Sequence, residues 1–169
     1  MRDPLPQATR RAELSRPLLI GLGDPSRGDD AVGPWLARRV GRRVGAGVRV
    51  SAGDALDLLA CWEGWPRVFV LDASRGGGAP GTVHRFEAPD AVWPAQLAHT
   101  STHGWGLAQA VELARRTGRL PGDLVIYAIE GASFELGQPM SRAVRRAAER
   151  VEKALVAELG PYLVPDAAR

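Results

Sequence analysis

Two aspartates and one histidine have the types and positions that suit chemistry at one site. Asp30 stands at the start of a predicted helix, Asp72 closes a predicted strand, and His103 precedes a Gly-Trp-Gly turn that opens a later helix. Two carboxylates and one imidazole suit a divalent first-row metal, with positions left open for another ligand. Each residue also has a structural interpretation: Asp30 as a helix N-cap, Asp72 as a turn residue and His103 as a hydrogen-bonded loop residue. The residues alone leave both interpretations open.

The glycines after the first predicted strand do not form a nucleotide-binding loop. Gly21 and Gly23 are followed next by Gly28, so the G-x-G-x-x-G spacing of dinucleotide-binding folds is absent. Gly23 and Gly28 fit a phosphate loop, but Asp29 and Asp30 stand where that loop needs Lys and Ser or Thr. Two carboxylates there repel phosphate oxygens, so the electrostatics favour a cation.

Other nucleophiles have weaker support. The sequence contains no G-x-S-x-G elbow. Ser101 and Ser133 have no evident base partner apart from His103. Cys61 lies on the apolar side of a predicted helix, which favours a small core residue over a reactive thiol.

Alternating strands and helices must position these residues. Strands are predicted at 16–22, 48–51, 68–71, 82–86 and 124–129. Helical spacing of apolar residues follows Asp30, Asp54, His103 and Ser141. This order predicts an α/β fold, a three-layer α/β/α sandwich whose mostly parallel, five-stranded twisted sheet has helices on both faces. The third and fourth strands have no helix between them, so we expect one antiparallel pair.

Ligands of open α/β sheets bind beyond the carboxyl ends of the strands. The loops to search for a site are therefore 23–31, 72–80, 100–106 and 130–139.

Length and composition indicate one globular domain. The chain has 169 residues, and 45% of them are hydrophobic. We expect a flexible lead-in at 1–15, one α/β domain at 16–163 and a tail at 164–169. A single cysteine excludes an internal disulfide framework, and no apolar run approaches the ~20 residues that span a bilayer. The first residues lack the apolar core of a secretory signal, so the expected location is the cytoplasm, without membrane association.

Basic residues are mostly arginine, and Lys153 is the only lysine in a chain of net charge +3. The cluster of Arg38, Arg39, Arg42 and Arg43 could bind an acidic partner or nucleic acid. Apolar residues alternate with it at helical spacing, which favours a solvated helix face, and we expect no nucleic-acid partner.

Four segments of the sequence resemble the characteristic blocks of hydrogenase maturation proteases, endopeptidases that trim the large subunit of NiFe hydrogenases. They are LLIGLGDPSRGDDAVGPWLARRV, VFVLDASRGGGAPGTVHRFE, STHGWGLAQAVELARRTGRLP and VIYAIEGASFELGQPMSRAV. The four blocks come in the family's order and span nearly the whole chain. The resemblance implies that the 16–163 domain is a peptidase of a family grouped with the aspartic peptidases.

The resemblance also implies a substrate and a role for each residue. The partner is the NiFe hydrogenase large-subunit precursor, and the enzyme removes its C-terminal extension after nickel insertion. Asp30, Asp72 and His103 are the implied nickel contacts, and Asp30 and Asp72 are the implied catalytic residues. The nickel belongs to the substrate and is not a resident cofactor. A monomer is expected.

Two questions stay open at this point. The family usually has Asn where this chain has Asp24, which places an extra anion near the site. Nickel could polarise the scissile carbonyl or activate a water, or Asp30 or Asp72 could hold that water. The alternatives are a maturation factor that recognises the nickel centre without proteolysis, and an unrelated α/β hydrolase or nucleotide-binding domain.

Overall fold

Five strands form one sheet in the computed structural model, which describes residues 16–88 and 104–160. The strands are β1 (Leu18–Leu22), β2 (Gly47–Ser51), β3 (Arg67–Ser74), β4 (Val83–Ala88) and β5 (Asp123–Glu130). Their order in the sheet is β2-β1-β3-β5-β4, and every neighbouring pair is parallel except β4 with β5. The expected antiparallel strand is therefore present, although β4 pairs with β5 and not with its chain neighbour β3.

Four α-helices in the described part of the chain connect or follow the strands. They are α1 (Val32–Val44), α2 (Ala55–Trp62), α3 (Gly104–Arg116) and α4 (Arg142–Leu159), and a 3-10 turn at Gly28–Ala31 leads into α1. The carboxylate of Asp54 accepts the N–H groups of Leu56 and Asp57 and caps α2. The hydroxyl of Ser141 accepts the N–H of Val144 and caps α4. Both caps agree with the sequence, because a side-chain oxygen at this position satisfies otherwise unpaired helix N–H groups.

Alternate residues of each strand face opposite helix pairs, as the period of a β-strand requires. Leu19, Phe69 and Val125 belong to the apolar cluster under α1 and α4. Their neighbours Leu18, Val68 and Leu124 belong to the cluster under α2 and α3. The buried central strands explain why these segments are continuously apolar. The predicted three-layer α/β/α sandwich is thus confirmed.

The four parallel strands all end at one edge of the sheet, which we call the carboxyl edge. Their last residues are Leu22 (β1), Ser51 (β2), Ser74 (β3) and Glu130 (β5). The loops that follow these strands are the ones in which a ligand site is expected.

The predicted lead-in at 1–15 and tail at 164–169 lie outside the described residues, and so does the segment 89–103. Within the described residues, no helix combines the length and apolarity needed to cross a membrane.

Candidate functional site

Asp30 lies in the 3-10 turn directly before α1 and is 4% exposed. Its Oδ2 accepts the backbone N–H of Asp24 at 2.8 Å, which closes the loop between β1 and α1. The N-cap of α1 is Ala31, and no side chain caps that helix. The N-cap interpretation of Asp30 is therefore wrong, because Asp30 lies inside the 3-10 turn and Ala31 occupies the N-cap position.

Asp24, the residue that departs from the family pattern, directs its carboxylate within its own turn. Its Oδ1 accepts the N–H of Ser26 at 2.9 Å and the hydroxyl of Ser26 at 2.6 Å. An Asn carbonyl oxygen can accept the same two hydrogen bonds. The hydrogen bond from Asp24 to Asp30 uses the backbone N–H of Asp24, which an Asn at this position also has.

Asp72 lies inside β3, which continues for two more residues to Ser74. The strand extends past the predicted end because β3 pairs with β5 as far as Ser74 opposite Glu130. Asp72 is 2% exposed, and its Oδ1 accepts the N–H of Ala73 at 2.8 Å. The expectation that Asp72 closes its strand is wrong, and so is the turn interpretation. The residue is a buried strand carboxylate.

Glycines bring Asp30 and Asp72 to the same edge. A Cβ on Gly33 would lie 2.3 Å from the carbonyl oxygens of both Leu22 and Leu71, so only glycine lets α1 begin against the ends of β1 and β3. Gly23, at φ +127°, leaves no room for a Cβ beside the carbonyl of Asp30. Asp30 stands three residues before Gly33, and Asp72 directly follows Leu71. Asp30 in the turn after β1 and Asp72 in the last residues of β3 therefore both lie at the carboxyl edge.

His103 lies outside the described residues, and its place in the site stays a prediction. Helix α3 begins at the next residue, Gly104. A Cβ on Gly106 would lie 1.6 Å from the carbonyl oxygen of Gly53, so the first turn of α3 packs on the loop after β2. This contact puts the start of α3 at the carboxyl edge. Without His103, no three His, Cys, Asp or Glu side chains among the described residues form a metal-binding group.

Asp29 has a different role from its neighbour, and sequence reasoning missed it. The side chain is fully buried, and its carboxylate accepts three backbone N–H groups, from Ala132 (2.7 Å), Ser133 (3.1 Å) and Ser141 (2.6 Å). Asp29 thereby ties the loop between β5 and α4 to the turn before α1. Its partners lie 103 to 112 residues later in the chain, so no local spacing could have shown the contact.

Glu130 and His84 form a second polar pair that the sequence did not reveal. Glu130 is 3% exposed; its Oε2 accepts the N–H of Gly76 at 2.8 Å, and its Oε1 lies 3.1 Å from Nε2 of His84. His84 and Asp72 are both in register with Ala128, so they lie on the same face of the sheet, two strands apart. The pair anchors the glycine-rich loop after β3 beside the predicted catalytic carboxylate.

The alternative nucleophiles gain no support. Burial raises the pKa of the Cys61 thiol, and the nearby carboxylate of Asp57 raises it further, so little thiolate is present at neutral pH. Cys61 packs against the apolar cluster under α2 and α3, as a small core residue does. Ser133 belongs to the loop that Asp29 holds, where its carbonyl accepts the N–H of Asp29 at 2.8 Å. Ser101 lies outside the described residues.

Comparisons with known proteins agree with this fold. The family model described as "Hydrogenase maturation protease" matches residues 51–158, a stretch that contains Asp72 and the position of His103. A search of curated protein sequences finds no match.

Solved structures of similar fold include two proteins named HybD. The hydrogenase maturating endopeptidase HybD from E. coli is 24% identical, with a TM-score of 0.70 over 86% of this chain and 93% of that one. The maturation protease HybD from Thermococcus kodakarensis is 23% identical, with a TM-score of 0.69 over 85% of this chain and 97% of that one. At these identities the likeness shows a shared fold.

Proposed function

The chain belongs to the hydrogenase maturation protease family and is an endopeptidase, and from that premise we propose that it removes the C-terminal extension of a nickel-loaded NiFe hydrogenase large-subunit precursor. The observation that carries the proposal is the placement of Asp30 and Asp72, two buried carboxylates at the carboxyl edge, one in the turn before α1 and one within β3. Family membership removes the alternative of an unrelated α/β hydrolase.

In this proposal Asp30, Asp72 and His103 contact the nickel that the substrate brings. Backbone N–H groups hold one oxygen of each carboxylate, Asp24 N–H for Asp30 and Ala73 N–H for Asp72. These hydrogen bonds fix the orientation of the side chains before the substrate arrives, which lowers the cost of binding a metal that is already coordinated elsewhere. Imidazole and carboxylate oxygen are both suitable nickel ligands.

The chemistry assigned to this arrangement is hydrolysis assisted by the substrate's metal. A carboxylate that ligates nickel is poorly placed to act as a general base, so the metal has the role of a Lewis acid that polarises the scissile carbonyl. The oxygen of a water molecule bonds to the carbonyl carbon, the carbon–nitrogen bond breaks, and the leaving amine keeps a proton from that water. The anionic side chains at the edge also favour a cation over a phosphate ligand.

The proposal is tested by incubating the protein with nickel-loaded and nickel-free precursor from the same genome and weighing the products by mass spectrometry. We expect cleavage of the loaded precursor only. D72N should leave the precursor uncut, whereas the matched control E135Q, which removes an exposed charge from the loop after β5, should cut normally.

Each contrary result has a distinct meaning. Full cleavage by D72N would overturn the site assignment, and undiminished cleavage of nickel-free precursor would overturn the dependence on nickel. Tight binding of the loaded precursor without any cleavage would favour a non-proteolytic maturation factor.

Two further expectations have their own tests. The expected monomer is checked by light scattering, and the expected cytoplasmic location is checked by fractionation of cells.

A further inference from the structure

Helices α1 and α4 carry a concentrated positive charge on their outer surfaces. Together they contain nine cationic side chains and three acidic ones, a surplus of six in a chain whose net charge is only +3. The remaining residues of the chain are therefore acidic on balance. We call the exposed basic residues of these two helices the α1–α4 surface; the charge there is a local feature and not the average of the molecule.

A buried acid joins the two helices and fixes part of this surface. Glu152 of α4 is 3% exposed, and its two carboxylate oxygens accept hydrogen bonds from Arg39 Nε at 2.6 Å and Arg43 Nη1 at 2.9 Å, both from α1. This contact neutralises part of the charge of these two arginines and sets the spacing of the helices. The charge available to a partner must come from other residues.

Five exposed arginines supply that charge. Within residues 16–88 and 104–160, no ion pair joins any of them to an acid, whereas arginines of the opposite layer such as Arg116 and Arg119 pair with glutamates. The five are Arg38, Arg42, Arg142, Arg145 and Arg146. Arg42 also donates to the carbonyl oxygen of Arg38, and Arg150, which likewise has no ion pair in the described residues, donates to that of Gly81. Arginine presents a planar fork that binds carboxylates through two parallel hydrogen bonds, so a surface of unpaired arginines suits an acidic protein surface.

The α1–α4 surface begins at the candidate site. Helix α1 starts two residues after Asp30, and the carboxylate of Asp29 ties the residues just before α4 to the same turn. Arg38 lies roughly 12 Å along the chain from Asp30 at the helical rise of about 1.5 Å per residue. A partner that delivers a peptide to Asp30 can therefore cover both helices within an ordinary interface of about 800 Å² per side.

We propose that the α1–α4 surface docks an acidic surface of the large-subunit precursor, so that charge complementarity away from the cleavage site selects the substrate. This inference rests on the proposed function, because that function names the protein that must approach the carboxyl edge. Charge pairing of this kind acts mainly on encounter and on discrimination between partners, and salt weakens it.

The test compares two variants that lose the same charge from opposite sides of the sheet. The surface variant carries R38Q, R42Q, R145Q and R146Q. The control variant carries R49Q, R115Q, R116Q and R119Q. Both changes lower the net charge by four, and both sets are exposed, so circular dichroism should report intact folds for both. Arg39 and Arg43 stay in place to preserve the contact with Glu152.

Precursor cleavage is measured at about 20 mM and about 300 mM salt, together with the Kd for the precursor by surface plasmon resonance. At low salt the surface variant should lose about tenfold or more in kcat/KM through KM, with kcat unchanged, because electrostatic steering commonly contributes factors of 10 to 1,000. At high salt the variant and the wild type should converge. The control variant should stay close to the wild type at both salt concentrations.

Equal loss in both variants, or no loss in either, would overturn the inference. Failure of the wild type to cleave would overturn the proposed function, but the Kd would still decide the docking question. A surface variant that binds the precursor normally, or a wild type that does not bind it, refutes the docking surface. Salt-sensitive binding of duplex DNA, with precursor binding unaffected by the four substitutions, would assign the surface to nucleic acid instead.

Discussion

The two helix layers of this protein differ in charge far more than in construction. Helices α1 and α4 carry a surplus of six positive charges, whereas α2 and α3 carry two acidic and two basic side chains and no surplus. Both layers pack apolar residues against alternate positions of the same strands. Apart from the contact of Arg39 and Arg43 with Glu152, the packing of the core does not use this charge difference, so the asymmetry is available for recognition of a partner.

Acids on the α1–α4 side serve a different purpose from the acids proposed for chemistry. Glu152 and Asp29 are buried and hold other parts of the chain, through guanidinium groups and through backbone N–H groups. Asp72 lies on the strand face that packs toward α2 and α3, with Val68 and Val70. The two proposals therefore assign docking to the basic layer and catalysis to the carboxyl edge.

The largest expected effect separates the neighbours Asp30 and Asp29. D30N should reduce precursor cleavage by roughly 100-fold or more, because it removes an anionic ligand of the substrate's nickel, and it should leave stability nearly unchanged. Kinetics at saturating precursor and thermal unfolding measure the two quantities. Near-normal cleavage by D30N would move the catalytic role to other residues of the edge.

D29N should show the opposite pattern, with a loss of about 3 kcal/mol in the free energy of unfolding. An Asn has one accepting oxygen, and its amide would point a donor at backbone N–H groups that Asp29 now satisfies. Urea unfolding measures the loss. A D29N protein as stable as the wild type, yet inactive, would show that Asp29 belongs to the chemistry and not to the scaffold.

Local patterns predicted most of the scaffold and only part of the site. Period-four apolar spacing located α1 and α4, and the caps of Asp54 and Ser141 fixed two helix starts, because these signals lie within a few residues of one another. The extension of β3 to Ser74 was missed, since it depends on pairing with β5. The contacts of Asp29 and Glu130 were missed for the same reason: their partners are brought together only by the folded sheet.

A smaller stability effect should come from the contact between the helices of the basic layer. Burial raises the pKa of Glu152, but the hydrogen bonds from Arg39 and Arg43 outweigh burial and leave the pKa below its usual range. The contact therefore stabilises the fold above the unfolded pKa of about 4.3, and this contribution is lost as pH falls through the lower folded pKa. Acid unfolding of the wild type should show this loss, and E152Q should not.

Removing both guanidinium groups should cost about 2 kcal/mol at pH 7, because R39Q and R43Q together leave a buried carboxylate without its ion pairs. The cost is below that of a fully buried pair, since both arginine side chains are 54% exposed. The deficit should shrink as pH falls, because the buried Glu152 of the variant lacks the two cations that lower its pKa and can take up a proton. R115Q with R116Q, on the neutral layer, is the control and should unfold like the wild type. A deficit that stays constant between pH 7 and pH 4 would contradict the role of Glu152.

The smallest expected effect concerns Cys61 on the neutral layer. Burial and the charge of Asp57 raise the pKa of this thiol, so the thiolate fraction at pH 8 should be lower than in a free peptide, and alkylation by iodoacetamide should be slower. The rate should keep rising above pH 9, where an ordinary thiol is nearing saturation. C61S should cleave the precursor at the wild-type rate. The Cys61 side chain packs against the apolar cluster under α2 and α3, and the proposal gives it no role beside Asp30 and Asp72. Mass spectrometry of the alkylated protein follows the reaction, with the urea-unfolded chain as its control. Rapid alkylation that abolishes cleavage, together with an inactive C61S, would make Cys61 part of the site and remove the distinction drawn between a structural α2–α3 layer and a catalytic edge.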